Sequence, residues 1–69
     1  MNKAQEVARA FKLNRKELTK RESEIVKYYY GIGVEFRCTL QELGSKFQVT
    51  RERIRQIKAA ALNKIGAVI

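Results

Sequence analysis

Val49-Thr50-Arg51-Glu52-Arg53-Ile54-Arg55-Gln56-Ile57 is the stretch whose reading decides the fold of this chain. At about 100° per residue, a helix through it gathers Glu52, Arg55, Gln56 and Ala59 on one face. Ile54, Ile57, Ala61 and Ile65 fall on the opposite face, so a polar ridge is backed by an apolar anchor. Arginine and glutamine make two-point contacts with guanine and adenine, and a carboxylate accepts from cytosine, so the ridge has the chemistry of a base reader. The stretch is read as a recognition helix, about residues 51–65, for double-stranded DNA.

Just upstream, Thr39 and Glu42 form a capping box that opens a short helix reaching Phe47, with Leu40, Leu43 and Phe47 as its core face. Gln48 and Val49 supply the turn, and Thr50 caps the next helix. Helices joined by so short a turn cross steeply, and Gly44, lacking a Cβ, lets the following segment approach closely. A supporting helix at about 40–47 and a recognition helix at about 51–65 make a helix-turn-helix. Many such turns carry glycine where Gln48 stands, so this one is expected at some conformational cost.

Working further back, Ala4, Val7, Ala8 and Phe11 recur at helical spacing and predict a first amphipathic helix over about residues 3–12. The basic stretch Lys12 to Lys16 is expected to loosen into a connector. Thr19 and Glu22 form another capping box, opening a helix that runs to about Tyr30 and stops at Gly31, which takes the left-handed conformation without steric cost. Tyr28, Tyr29 and Tyr30 occupy adjacent helix positions, point in different directions and cannot form one stacking platform. One or two of the rings are expected in the core, the rest on the surface. With no strand alternation, the expectation is an all-α fold: a small four-helix domain containing a helix-turn-helix, over residues 1–69.

Fifteen Lys and Arg against seven acidic residues, all Glu, give a net charge of +8, which favours a polyanionic partner. Chemistry is narrowed by what is missing. With no His, no Asp and one Cys, the chain has no set for a Cys/His metal cluster, a Ser-His-Asp triad or a disulfide. Cys38 is read as a small half-buried residue before a helix. No enzyme, cofactor, metal or small-molecule substrate is expected. Charges at Lys3, Glu6 and Arg9 interrupt the N-terminal stretch, so neither a signal peptide nor a membrane span is expected and the chain is read as cytosolic.

Leu18-Thr19-Lys20-Arg21-Glu22, Tyr30-Gly31-Ile32, Thr39-Leu40-Gln41-Glu42-Leu43-Gly44, Phe47 and above all Val49 to Ile57 resemble the C-terminal domain, region 4, of bacterial RNA polymerase sigma factors of the housekeeping class. The resemblance runs from about Leu18 to Ile65. It implies recognition of the minus-35 promoter element in transcription initiation, docking on the flap of the polymerase β subunit, capture by anti-sigma factors or contact with activators, and a place in the bacterial cytosol or nucleoid. Carried over by position, it implies base contacts from Arg51, Glu52, Arg55 and Gln56 and backbone contacts from Arg21, Thr39, Leu40 and Gln41. Lys46 and Arg53 join the backbone set by charge and position. The chain departs from the family at Tyr29, where an Arg is usual, at Ala60 and Asn63, which replace basic residues, and at Lys58, which replaces an acid.

Two other readings stand beside this one. The helix-turn-helix could be the output domain of a response-regulator-type transcription factor, which would dimerise on a palindromic site. Alternatively, the chain is a protein-interaction module bound by the flap or an anti-sigma factor. Its contact surface would come from Phe11, Val26, Ile32, Val34 and Phe36, of which only Val34 and Phe36 are expected to be exposed.

Overall fold

Local signals set the helix boundaries. In the computed structural model, which describes residues 3–67, the order is α1 (Lys3–Asn14), a 3-10 turn (Arg15–Glu17), α2 (Lys20–Tyr30), α3 (Leu40–Phe47) and α4 (Arg51–Lys64). The outermost two residues at each end of the expected 1–69 domain lie outside the described residues. Among the described residues there is no strand, and no helix is long and apolar enough to cross a membrane. The fold is the all-α helix-turn-helix architecture.

Both capping boxes form. Thr19 Oγ1 accepts from the Glu22 backbone N–H at 3.1 Å while Glu22 Oε1 accepts from the Thr19 N–H at 2.9 Å, and Thr39 with Glu42 repeats the arrangement at 3.1 and 2.7 Å. Gly31 ends α2 in the left-handed conformation, φ 72°, as predicted. One expectation is corrected: the basic stretch after Lys12 does not loosen into a connector. α1 continues to Asn14, whose side-chain amide donates to the carbonyls of Ala10 and Ile65 at 3.2 and 3.3 Å, and a 3-10 turn follows. That amide ties the end of α1 to the end of α4, a tertiary contact that no local pattern announces.

Among the described residues two clusters form the core. Val7 and Phe11 of α1 meet Val26 of α2, Ala61 and Leu62 of α4, and Ile65. Ile25, Leu43 and Ile54 form the second, with one residue each from α2, α3 and α4. Adjacent residues of α2, Ile25 and Val26, thus serve different clusters, and α2 is the shared wall. Each fully buried Ile or Leu contributes about 1.5–3 kcal/mol by its removal from water. The tyrosine expectation is also corrected: none of the three rings is fully buried. Tyr28 and Tyr29 lie half-buried against the Ile25 cluster and Tyr30 half-buried against the Val7 cluster, because α2 at this point straddles both.

The turn between α3 and α4 explains how the recognition helix is set. A Cβ on Gly44 would stand 2.8 Å from the Val49 carbonyl oxygen and 3.3 Å from the Arg51 nitrogen, so the chain passes over α3 where only glycine leaves room. Val49 N–H donates to the Gly44 carbonyl at 2.9 Å and closes the turn. Gln48 takes φ 59°, ψ 42°, the left-handed region that a side chain disfavours. The turn demands this conformation with or without a glycine.

Candidate nucleic-acid interface

Thr50 starts α4 by accepting from the Arg53 N–H at 3.0 Å. Ile54, Ala61 and Leu62 are buried and Ile57 half-buried, so the apolar face of the helix is committed to the domain. Arg51, Glu52, Arg55, Gln56 and Ala59 are all exposed along the opposite side. An α-helix fits the major groove of B-DNA, and nothing in the described domain covers this ridge.

Within the ridge, Arg55 and Glu52 are paired. Arg55 Nε donates to Glu52 Oε1 at 2.9 Å and an Arg55 terminal nitrogen to Oε2 at 2.6 Å, a two-point contact across one helical turn. Hydrogen bonding to Arg55 holds the Glu52 carboxyl below its ordinary range, and the same bond raises Arg55. Glu52 is therefore an acceptor throughout the neutral range, with Arg55 oriented by it. An Arg53 terminal nitrogen lies 3.5 Å from Gln56 Oε1, at the outer limit of hydrogen bonding, and the Gln56 side chain also hydrogen-bonds the Glu52 carboxylate.

Arg53, predicted to touch the DNA backbone, is exposed on α4, and the other residues of that set divide into two places. Thr39, Leu40 and Gln41 at the start of α3 share an open groove with Arg51, Tyr29, Arg37 and Cys38. Arg21 and Lys46 lie elsewhere, both over the Phe47 ring, with their cationic centres 5.5 and 5.9 Å from its centroid. Lys46 also sits 4.1 Å from the centroid of Tyr28. Sequence reasoning missed Arg37, which donates from Nε to the Tyr29 carbonyl at 3.2 Å and completes the wall of the groove. Its loop position carries no periodic signal; only the fold returns it to α2.

The two residues predicted for a protein partner differ. Phe36 is 75% exposed in the loop between α2 and α3, whereas Val34 is half-buried. Phe11 and Val26 are core, and Ile32 packs half-buried against it, as expected. A shallow apolar groove between α1 and the end of α2 is lined by Ala4, Ala8, Tyr30 and Ile32, and includes neither Val34 nor Phe36. Cys38 is half-buried with a free thiol.

An exposed polar ridge on the second helix of a tightly turned pair defines a helix-turn-helix domain of the recognition-helix type. Residues 16–66 match the family model described as Sigma-70, region 4. The chain belongs to that family. It is also similar to the RNA polymerase sigma factor RpoD of Neisseria gonorrhoeae, with 50% identity over 48 residues. That alignment covers 70% of this chain and 8% of the relative, so the chain spans a small fraction of the relative's length. No solved structure gives a significant match. The matched residues hold the whole helix-turn-helix and α2; α1 precedes them.

Proposed function

We propose that this domain reads the minus-35 element of promoters in transcription initiation, working while docked on the β flap of RNA polymerase in the bacterial cytoplasm. The observation that carries the proposal is the exposed ridge Arg51, Glu52, Arg55 and Gln56, anchored from behind by Ile54 and Ala61. Arg55 and Gln56 make direct base contacts, Glu52 accepts from a cytosine amine or orients Arg55, and Arg51 contacts bases at the leading end of the helix. Thr39, Leu40 and Gln41 hold one stretch of backbone through their shared groove, and Arg21, Lys46 and Arg53 hold phosphates on either side. Family membership favours this reading over the response-regulator output domain. Alone, so small a module buries little surface and binds weakly; tethering to the polymerase raises its effective concentration.

Selection of bound sites from a random duplex library, with and without polymerase core, tests the reading. An asymmetric hexamer enriched more strongly with core supports it, and a palindrome or no enrichment contradicts it.

The protein partner is met through the loop, where Phe36 is the exposed apolar group, and anti-sigma factors or activators would compete for or add to such contacts. Because Phe36 is so exposed, Phe36→Glu should leave helical content and melting temperature unchanged while weakening association with a flap fragment. Unfolding of the variant, or undiminished flap binding, would rule out this docking surface.

A further inference from the structure

Lys58 lies one turn beyond Arg55 on α4 and lines a small pocket with Arg55 and with Lys3, from the first turn of α1. Three cations face one concavity. Lys58 Nζ stands 4.4 Å from the Tyr29 ring centroid and 5.9 Å from that of Tyr30. Among the described residues no carboxylate pairs with Lys58, and Glu52 is taken up by Arg55. Burial, then the charges of Lys3 and Arg55, push the Lys58 ammonium below the ordinary lysine range.

The pocket is separated from the groove at the start of α3 by two packed tyrosine rings. Tyr29 lines that groove and packs edge-on against Tyr30, with centroids 5.0 Å apart, while Tyr30 lines the pocket. The Tyr29–Lys58 stack is therefore the ridge between two basic concavities, one holding Arg37 and Arg51, the other Lys3, Arg55 and Lys58.

We propose that Lys58 and Lys3 form a second phosphate-binding pocket beside the base-reading Arg55, which holds the DNA backbone as it continues past the base-reading ridge and recruits α1 to the DNA contact. The inference rests on the duplex-binding reading above. It assigns a nucleic-acid role to a helix that lies outside the family match and otherwise only packs the core. Continuity with the ridge, through Arg55, favours a phosphodiester over an acidic protein segment.

Binding of the 69-residue chain to duplex DNA over a series of salt concentrations tests it, with Lys58→Met, which keeps an apolar stem over Tyr29, and Lys3→Gln. Each lost phosphate contact should make the log–log salt slope shallower by about 0.9, which is about a 3.5-fold smaller affinity loss on a fourfold rise in salt. Lys58→Arg should restore the slope. Replacing single phosphates by methylphosphonates should reveal one interfering position in the wild type that disappears in Lys58→Met, with the preferred base sequence unchanged. An unaltered slope and interference pattern in folded variants, by circular dichroism, overturns the pocket but leaves the base-reading ridge standing. Loss of binding to a polyglutamate peptide with duplex binding intact assigns the pocket to an acidic protein and overturns the phosphate role. No duplex binding by the wild type at any salt concentration overturns both proposals.

Discussion

Glu52 is the residue at which affinity and specificity part. A carboxylate beside DNA is repelled by phosphates, yet this one stands in the first turn of a basic helix. The general reason is the helix dipole, which favours an acid in the first turn. The observed reason is more specific, for both carboxylate oxygens hold the Arg55 guanidinium. Both side chains are more than half exposed, so the pair adds little to stability, and its value lies in fixing where Arg55 points. Glu52→Gln should therefore lose discrimination at one or two adjacent base pairs while binding to random duplex stays equal or tightens. A site-selection profile unchanged by the substitution, alongside a lowered melting temperature, would assign Glu52 to the dipole alone.

Between elements, two contacts fix the frame. Gly44 meets backbone rather than a flexible side chain, so Gly44→Ala must displace the α3–α4 turn, and overpacking of this kind costs about 1–3 kcal/mol. Urea denaturation should show that loss; an unchanged midpoint would mean the turn accommodates a methyl. Glu22 does double duty, capping α2 and accepting Lys64 Nζ on both oxygens at 2.9 Å, with its side chain only 13% exposed. The Thr19 backbone N–H first, and Lys64 second, hold its carboxyl below 4.5. A depressed carboxylate stabilises the fold fully above the unfolded value and loses that contribution as pH falls through the folded one. Thermal melts from neutral pH down to below pH 4.5 should show wild type losing stability in that acid window, and Glu22→Gln should be less stable at neutral pH with a flatter acid limb. Identical acid limbs would remove Glu22 from the account. The capping boxes were legible because Thr and Glu three apart is a local signature, and Gly44 because a Cβ-free residue in a supporting helix has few other reasons. The Lys64 pair, the Asn14 bridge and Arg37 were not, since each joins segments far apart in sequence and depends on how the helices pack.

Over the whole molecule, a net charge of +8 supplies attraction to any duplex, and the architecture must convert attraction into choice. α4 packs chiefly on α3 and α2, with α1 closing the far cluster, so the exposed ridge stands on a rigid three-sided support. The ridge itself was legible because helical period separates Glu52, Arg55 and Gln56 from Ile54 and Ala61. The division of backbone residues into a groove and a separate Phe47 patch was not, because it follows from where α2 lies against α3. The central claim is that the exposed ridge of α4, Arg51, Glu52, Arg55 and Gln56, reads bases while the rest of the basic surface only holds the backbone. Equilibrium binding of Arg55→Ala, Gln56→Ala and Lys46→Ala to a selected site, to its single-base variants and to random duplex tests it most directly. Arg55→Ala and Gln56→Ala should each relax preference at particular positions by about 1–3 kcal/mol, and Lys46→Ala should weaken every duplex alike. Equal losses on specific and random duplex for all three would contradict the account.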